Sequence, residues 1–169
     1  IRKNSKKNFD TNGEIANSGI VNDLIYNQAV ENFSNISYSK SLDINDFDIS
    51  FAKGLSLEDG CATVTKFSAH LIADGIKNIN NLNNNLQLFN LICGGGRKNT
   101  TLIKNINDSL NYMDIELIDI DNYNFDGDFI ESQAFGYLAI RTFLNLPISF
   151  PTTTGCLTPT VGGIVNKNF

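Results

Sequence analysis

A run of three glycines in the middle of the chain is the first place where residue type and spacing suggest chemistry. The apolar segment 88–92 leads into Cys93 and then into Gly94, Gly95 and Gly96. Glycine allows a tight turn and a close approach of another molecule to the backbone. In open α/β sheets, ligands bind at the carboxyl ends of strands, where a following helix offers N–H groups to an anion. The glycines therefore predict either a nucleotide contact or a tight turn of the chain itself.

Two carboxylates at the start of a predicted helix are the second candidate site. Asp128 and Glu131 are three residues apart, which is the spacing of an N-cap residue and its N3 partner in a capping box. The capping interpretation is the plainer one. The functional alternative is a carboxylate that faces a cleft and accepts hydrogen bonds from a polar ligand.

The remaining charged candidates each have a plain structural alternative. Arg97 and Lys98 follow the glycines and could contact phosphate, but cations beside a loop are usually solvated. Asp119 and Asp121 alternate after a predicted strand and could bind a metal ion or cap a loop. His70, the only histidine, is predicted to be solvated or at the edge of the core rather than to act as a base, because we identify no acidic or cysteine neighbour at ligand spacing.

The elements that must position these residues alternate between helix and strand. Periodicity predicts helices over 20–32, from Ser56 into the asparagine-rich segment at 78–85, over 99–111 and over 128–144, and strands over 86–93, 114–119 and 160–166. In the last helix we expect four residues to face inward: Ala134, Phe135, Leu138 and Phe143. The alternation predicts an α/β protein.

Composition limits the classes of function. The chain has 169 residues, the size of one domain. Its net charge of −5 argues against a nucleic-acid partner, and we find no apolar run near the roughly 18 residues that span a membrane. The three cysteines have no metal or redox spacing, which predicts free thiols in a reducing compartment.

Several segments together resemble the C-terminal part of the anhydro-N-acetylmuramic acid kinase family. In chain order they are FDTNGEIANSG, SKSLDINDF, LSLEDGCATVTKFSAHLIADGI, CGGGRKNTTLIKNI, DFIESQAFGYLAIRTFLNLPISFPTTTG and TPTVGG. The resemblance implies that residues 1–169 form a single domain, the C-terminal lobe of a two-lobed kinase. Its implied fold is one lobe of the actin-like (ribonuclease H-like) ATPase fold, with a mixed sheet flanked by helices.

The resemblance also implies an activity and assigns site residues. Family members use ATP and Mg²⁺ to convert 1,6-anhydro-N-acetylmuramate to N-acetylmuramate 6-phosphate, opening the anhydro ring, in bacterial cytoplasmic cell-wall recycling. Gly94, Gly95 and Gly96 would then form the nucleotide-contacting turn, and Glu131 would lie on the sugar side of the cleft. The implied partners are the sugar and an N-terminal kinase lobe. Whether the chain also forms a homodimer is left open.

Two departures from the family pattern affect these expectations. Family members are roughly twice as long, and we expect their first phosphate loop and their aspartate base in an N-terminal lobe that is absent here. We therefore assign no catalytic or metal-binding residue to this chain and expect it to be inactive alone. The alternatives to a working kinase lobe are a truncated, catalytically inactive remnant of that kinase and an unrelated α/β nucleotide-binding module. Ile44 occupies a position that is usually polar in the family.

Overall fold

The computed structural model describes residues 1–2, 4–34, 43, 46–82, 88–113 and 115–166. The described residues belong to two compact units. The first unit contains those within Ile1–Asn35 and Asp48–Asp128, and the second contains those within Ile36–Phe47 and Phe129–Phe169.

Three helices form the first part of the first unit. They are α1 (Glu14–Ser18), α2 (Asp23–Phe33) and α3 (Leu57–Leu82). The α3 helix begins where the capping signal predicts, because the Ser56 hydroxyl accepts a hydrogen bond from the Asp59 N–H at 3.0 Å. Thr63 is fully buried between helices: its hydroxyl accepts from the Asn22 N–H at 3.0 Å and donates to the Asp59 carbonyl at 2.7 Å.

Within the described residues, the sheet has two short parallel strands joined by a helix. Strand β1 (Asn90–Ile92) is followed by α4 (Thr100–Leu110) and by β2 (Leu117–Asp119). Leu91 pairs with Ile118 in the parallel register. A helical crossover is the usual connection between parallel strands, and it brings the carboxyl ends of both strands to one edge.

The core of this unit lies between α3, α4 and the sheet. Ala69 and Ala73 of α3 pack against Ile106 and Leu110 of α4, and all four side chains are buried. Alanine at these positions lets the two helix backbones approach closely. The predicted inward face of α4 is confirmed, since Leu102 and Ile103 also pack against this cluster.

The second unit is built around α5 (Ile130–Phe143), followed by the short α6 (Pro151–Thr154). The predicted inward face of α5 is wrong, because Ala134, Phe135 and Phe143 are exposed. The predicted strand over 160–166 is also wrong. Only a single antiparallel bridge forms there, between Ser149 and Thr160.

The α/β class is confirmed, with differences in extent from the prediction. The described strands are three residues long, shorter than the predicted 86–93 and 114–119, and the described sheet is parallel. Of SKSLDINDF, only Asp43, Asp46 and Phe47 are described, so Ile44 lies outside the described residues. None of the helices in the described ranges is long and apolar enough to cross a membrane.

Candidate functional site

The glycine run forms the turn between β1 and α4. Gly94 has φ 74° and ψ 177°, a backbone region that is essentially restricted to glycine. Gly95–Lys98 forms one 3-10 turn, and Asn99 then caps α4 by accepting a hydrogen bond from the Leu102 N–H at 2.9 Å. The turn therefore leads directly from the carboxyl end of a parallel strand to the positive end of a helix.

The three glycines differ in why glycine is present. Gly94 is required by its own backbone conformation. Gly95 does not have a positive φ, and a Cβ built on it would meet no heavy atom of the described residues within 4 Å beyond its own neighbours in the turn. A Cβ on Gly96 would meet only Leu102 Cδ2, at an ordinary 3.8 Å. The packing of the described chain therefore does not itself demand glycine at the second and third positions.

Arg97 is the central side chain of the turn. Only 4% of its side chain is exposed, so the prediction of a solvated cation is wrong for this residue. Nη1 donates to Asp128 Oδ1 at 2.5 Å, and Nη2 donates to Asp121 Oδ2 at 3.0 Å. Nε lies 3.4 Å from Asp119 Oδ1. One guanidinium thus contacts three carboxylates, a geometry for which its planar set of donors is suited.

The same guanidinium also holds the glycine backbone. Arg97 Nη1 donates to the Gly94 carbonyl at 3.0 Å, and the Gly94 N–H donates to the Gly127 carbonyl at 2.8 Å. The Gly127 N–H in turn donates to Asp121 Oδ1 at 2.7 Å. The loops that follow the two parallel strands are therefore linked by both backbone and side-chain hydrogen bonds.

These contacts stabilise the charged forms of the groups. The pKa of Asp121 lies below its usual value, first because of the Gly127 N–H and then because of Arg97. The pKa of Asp128 is lowered by hydrogen bonds from Arg97 and from Lys98. The carboxylates of Asp128 and Asp121 in turn raise the pKa of Arg97, so the charged forms of Arg97, Asp121 and Asp128 are favoured at neutral pH.

The capping box predicted at Asp128 is wrong. The helix begins two residues later, at Ile130, and its N-cap residue is Phe129, which makes no side-chain capping bond. The Asp128 carboxylate is instead taken up by Arg97 and Lys98. Charge-assisted hydrogen bonds to two cations are stronger than a neutral cap, so the long-range partners determine where this carboxylate lies.

The alternative of a metal site at Asp119 and Asp121 is not supported by the described geometry. Asp119 Oδ1 accepts from the Asp121 N–H at 3.0 Å, which is the loop cap that the plainer interpretation predicts. Both carboxylates also face the Arg97 cation. In the part of the chain that the structure describes, no group of three or more His, Cys, Asp or Glu residues is arranged to hold a metal ion.

A second turn lies against the start of α4 and was not predicted as part of a site. Thr100 donates to the Asn12 carbonyl at 2.9 Å, and Thr101 donates to the Gly13 carbonyl at 2.8 Å. Gly13 has φ 77°, and a Cβ there would lie 2.1 Å from Asn99 Oδ1. The signal in the sequence is weak, namely the turn residues of FDTNG, because the partners are 88 residues away along the chain.

The other two candidates lie apart from the glycine turn in the chain. Glu131 is in the first turn of α5, in the second unit, and is exposed. His70 is half-buried in α3, with Nδ1 3.3 Å from the Tyr26 hydroxyl and Nε2 3.3 Å from Asp74 Oδ2. Of the two predicted positions, solvated or at the core edge, the structure shows the core edge. The expectation of no acidic neighbour is wrong, because Asp74 is four residues away on the same helix face.

The cysteines and one surface depression add no further candidate in the part of the chain that the structure describes. All three cysteines are free thiols, as predicted, and Cys93 is exposed immediately before the glycine turn. A depression of about 450 Å³ is lined by other residues, namely Ser5, Lys6, Lys7, Glu14, Ile15, Ser18, Leu57 and Glu58.

Comparison with known proteins gives one consistent family. Residues 1–167 match the family model described as anhydro-N-acetylmuramic acid kinase. A protein of that name from Pelagibacter ubique is 47% identical over 171 aligned residues, covering 100% of this chain and 45% of the relative. Another, from Zymomonas mobilis, is 35% identical and covers 98% of this chain and 44% of the relative. A third, from Brucella canis, is 36% identical over 92% of this chain and 41% of its own length. The chain thus spans less than half the length of these relatives.

Proposed function

Because the chain belongs to the anhydro-N-acetylmuramic acid kinase family, we propose that it supplies the nucleotide-contacting lobe of an ATP-dependent sugar kinase. In the proposed reaction, ATP and water convert 1,6-anhydro-N-acetylmuramate to N-acetylmuramate 6-phosphate and ADP. The C1–O6 bond of the anhydro ring breaks, water adds at C1, and the γ-phosphoryl group is transferred to O6. The proposed setting is cell-wall recycling in the bacterial cytoplasm, with an actin-like fold for the lobe.

The open space beside Gly95 is the observation that carries the nucleotide part of this proposal. Gly94 holds the turn in a glycine-only conformation, while Gly95 and Gly96 leave room that the described chain does not fill. A bare backbone at the carboxyl end of β1 and before the N-terminus of α4 suits the close approach of an adenosine or phosphate group. Packing of the described residues gives no competing reason for Gly95.

The proposal assigns the Mg²⁺ no ligand from the described residues. The carboxylates of Asp119, Asp121 and Asp128 are each paired with Arg97. Phosphoryl transfer depends mainly on positioning and on neutralising the phosphate charge, usually from both sides of a cleft. We therefore propose that the metal ligands and the base come from another lobe, and that this chain positions the nucleotide.

Glu131 is the proposed contact to the sugar. It is exposed in the first turn of α5 and has no assigned capping role there, since Asp128 is not the cap of that helix. A carboxylate accepts hydrogen bonds well from sugar hydroxyl and amide groups. This assignment depends on the family resemblance of the Glu131, Ala134 and Phe135 block rather than on a described cavity.

The test is a product assay on the complete gene product that carries this chain, including any residues beyond these 169. Incubation with 1,6-anhydro-N-acetylmuramate, ATP and Mg²⁺ is expected to give N-acetylmuramate 6-phosphate, detected by mass spectrometry, with water-derived ¹⁸O at C1 when the reaction is run in H₂¹⁸O. N-acetylglucosamine serves as a control that has no anhydro ring. A protein that binds ATP but forms no product would instead indicate an inactive remnant.

The 169 residues alone are expected to give no product in the same assay. The expectation follows from the proposed division of labour, in which the base and the first phosphate contacts lie in another lobe. Each 1.36 kcal/mol of lost transition-state stabilisation costs about tenfold in rate, and removal of a base and of half the charge contacts should cost many such factors. Turnover by these residues alone at an ordinary enzymatic rate would contradict it.

A further inference from the structure

We infer that Arg97 is a positioning residue for the nucleotide turn, fixing Gly94–Gly96 by clamping the two strand-following loops together. This inference rests on the proposed nucleotide contact of the glycines. It assigns Arg97 no contact with phosphate, although a cation beside a glycine turn would ordinarily suggest one.

The directions of the Arg97 hydrogen bonds carry the argument. Its donors point to the carboxylates of Asp119, Asp121 and Asp128 and to the Gly94 carbonyl. Its side chain is almost fully buried, so little of the guanidinium remains for a ligand. Because its donors are already occupied, the Arg97 guanidinium influences a ligand only by holding the backbone of the glycine turn in place.

The packing around the guanidinium leaves little freedom for the turn. A Cβ on Gly127 would lie 2.7 Å from Arg97 Nε and 2.8 Å from Cζ. Gly127 also accepts the hydrogen bond from the Gly94 N–H. Gly94 is therefore held at its N–H by the Gly127 carbonyl and at its own carbonyl by Arg97, so both peptide groups that flank its Cα are fixed. A shift of either loop would displace the glycines that follow.

Lys98 has a different position in the same cluster. It pairs with Asp128, but more than half of its side chain is exposed. Lys98 therefore remains the cation through which a direct electrostatic contact with phosphate could act, whereas Arg97 acts through the turn. Within one loop, Arg97 therefore positions the backbone, whereas Lys98 is available to neutralise phosphate charge.

The inference is tested by titrating the complete gene product with ATP in the presence of Mg²⁺, and separately with 1,6-anhydro-N-acetylmuramate, by calorimetry. The variants are Arg97→Met, Arg97→Lys and Asp121→Asn. Lys104→Met is the matched control, since Lys104 forms an exposed ion pair with Asp108 on α4. Each variant is also melted, so that affinities refer to folded protein.

Arg97→Met is expected to weaken ATP binding by about tenfold or more, equivalent to about 1.4 kcal/mol of binding free energy, because the glycine turn is no longer held in place, while sugar affinity changes less than about twofold. Arg97→Lys should bind ATP more tightly than Arg97→Met but less tightly than wild type, because a lysine can pair with one carboxylate but cannot contact three at once. The ATP affinity of Asp121→Asn should lie between the affinities of wild type and Arg97→Met. Lys104→Met should match wild type for both ligands.

Normal ATP affinity in folded Arg97→Met would overturn the inference, whatever its melting temperature. If Arg97→Met does not fold, the inference is tested by the ATP affinities of folded Arg97→Lys and Asp121→Asn, each compared with wild type. Gly95→Val, titrated in parallel, separates this inference from the proposed function. Loss of ATP binding in Gly95→Val with normal binding in the clamp variants would reject only the clamp. Normal ATP binding in Gly95→Val would reject the nucleotide role of the turn itself.

Discussion

The guanidinium of Arg97 donates a hydrogen bond to the carbonyl oxygen of Gly94 at 3.0 Å from an almost fully buried position. The contact joins a side chain paired with three carboxylates to a backbone conformation that only glycine adopts readily. The conformation of the glycine turn therefore depends, through the Gly94 carbonyl, on the ion pairs that Arg97 makes with distant carboxylates.

Gly94→Ala should destabilise the fold. A side chain at φ 74° and ψ 177° is strained even though open space surrounds the position where its Cβ would lie. We expect a loss of about 1–3 kcal/mol in the free energy of unfolding, measured by urea denaturation. Gly96→Ala, at a position without positive φ, is the control and should change stability much less. Equal stability of the two variants would contradict the assigned strain.

The Arg97 cluster should make stability depend on acid pH. The pKa values of Asp121 and Asp128 are lowered in the folded protein. Their contribution is therefore fully present above the ordinary aspartate pKa of about 4 and is lost as the pH falls through the lower folded values. The difference in melting temperature between wild type and Arg97→Met should be largest near neutral pH and should shrink below about pH 4. A difference that stays constant with pH would contradict the electrostatic account.

Thr63→Val should cost stability through a lost hydrogen bond. The buried Thr63 hydroxyl accepts from the Asn22 N–H and donates to the Asp59 carbonyl, and valine has nearly the same shape without either partner. We expect a loss of about 1–3 kcal/mol in chemical denaturation. Thr65→Val, at a partly exposed position of the same helix, is the control and should change stability by less than about 0.5 kcal/mol.

The exposed aromatic side chains of α5 should make the 169-residue chain self-associate. Phe135 and Phe143 are 64% and 73% exposed, and Tyr137 and Ile140 are also mostly exposed. Large exposed apolar groups clustered on one element favour association. Phe143→Glu should shift sedimentation towards monomer, whereas Tyr112→Glu, at a 99% exposed tyrosine after α4, should not. A monomeric wild-type chain at high concentration would contradict this prediction.

The parts of the fold that local pattern determines were predictable. The start of α3 follows from the Ser56 cap, and the buried face of α4 follows from its periodicity. The α3–α4 contact was harder to predict because Ala69 and Ala73 provide it. Small residues give a weak hydrophobic signal in sequence, although they let helices pack closely.

The parts that depend on distant partners were not predictable. Arg97 pairs with carboxylates 24 and 31 residues away, so its burial leaves no trace in the adjacent sequence. The same pairing removes Asp128 from the capping box that its spacing with Glu131 indicated. The position of the glycine turn at the carboxyl end of a strand was predictable, but its fixation by the neighbouring loop was not.

The most direct test of the nucleotide role is an ATP titration of Gly95→Val in the complete gene product, with thermal melting of the same sample. Gly75→Val is the matched control, because a Cβ on that α3 glycine likewise meets no described atom within 4 Å beyond the backbone of its own helix. We predict that Gly95→Val melts near the wild-type temperature but loses measurable ATP binding, while Gly75→Val keeps it. ATP binding by folded Gly95→Val with wild-type affinity would contradict the proposal that this turn contacts the nucleotide.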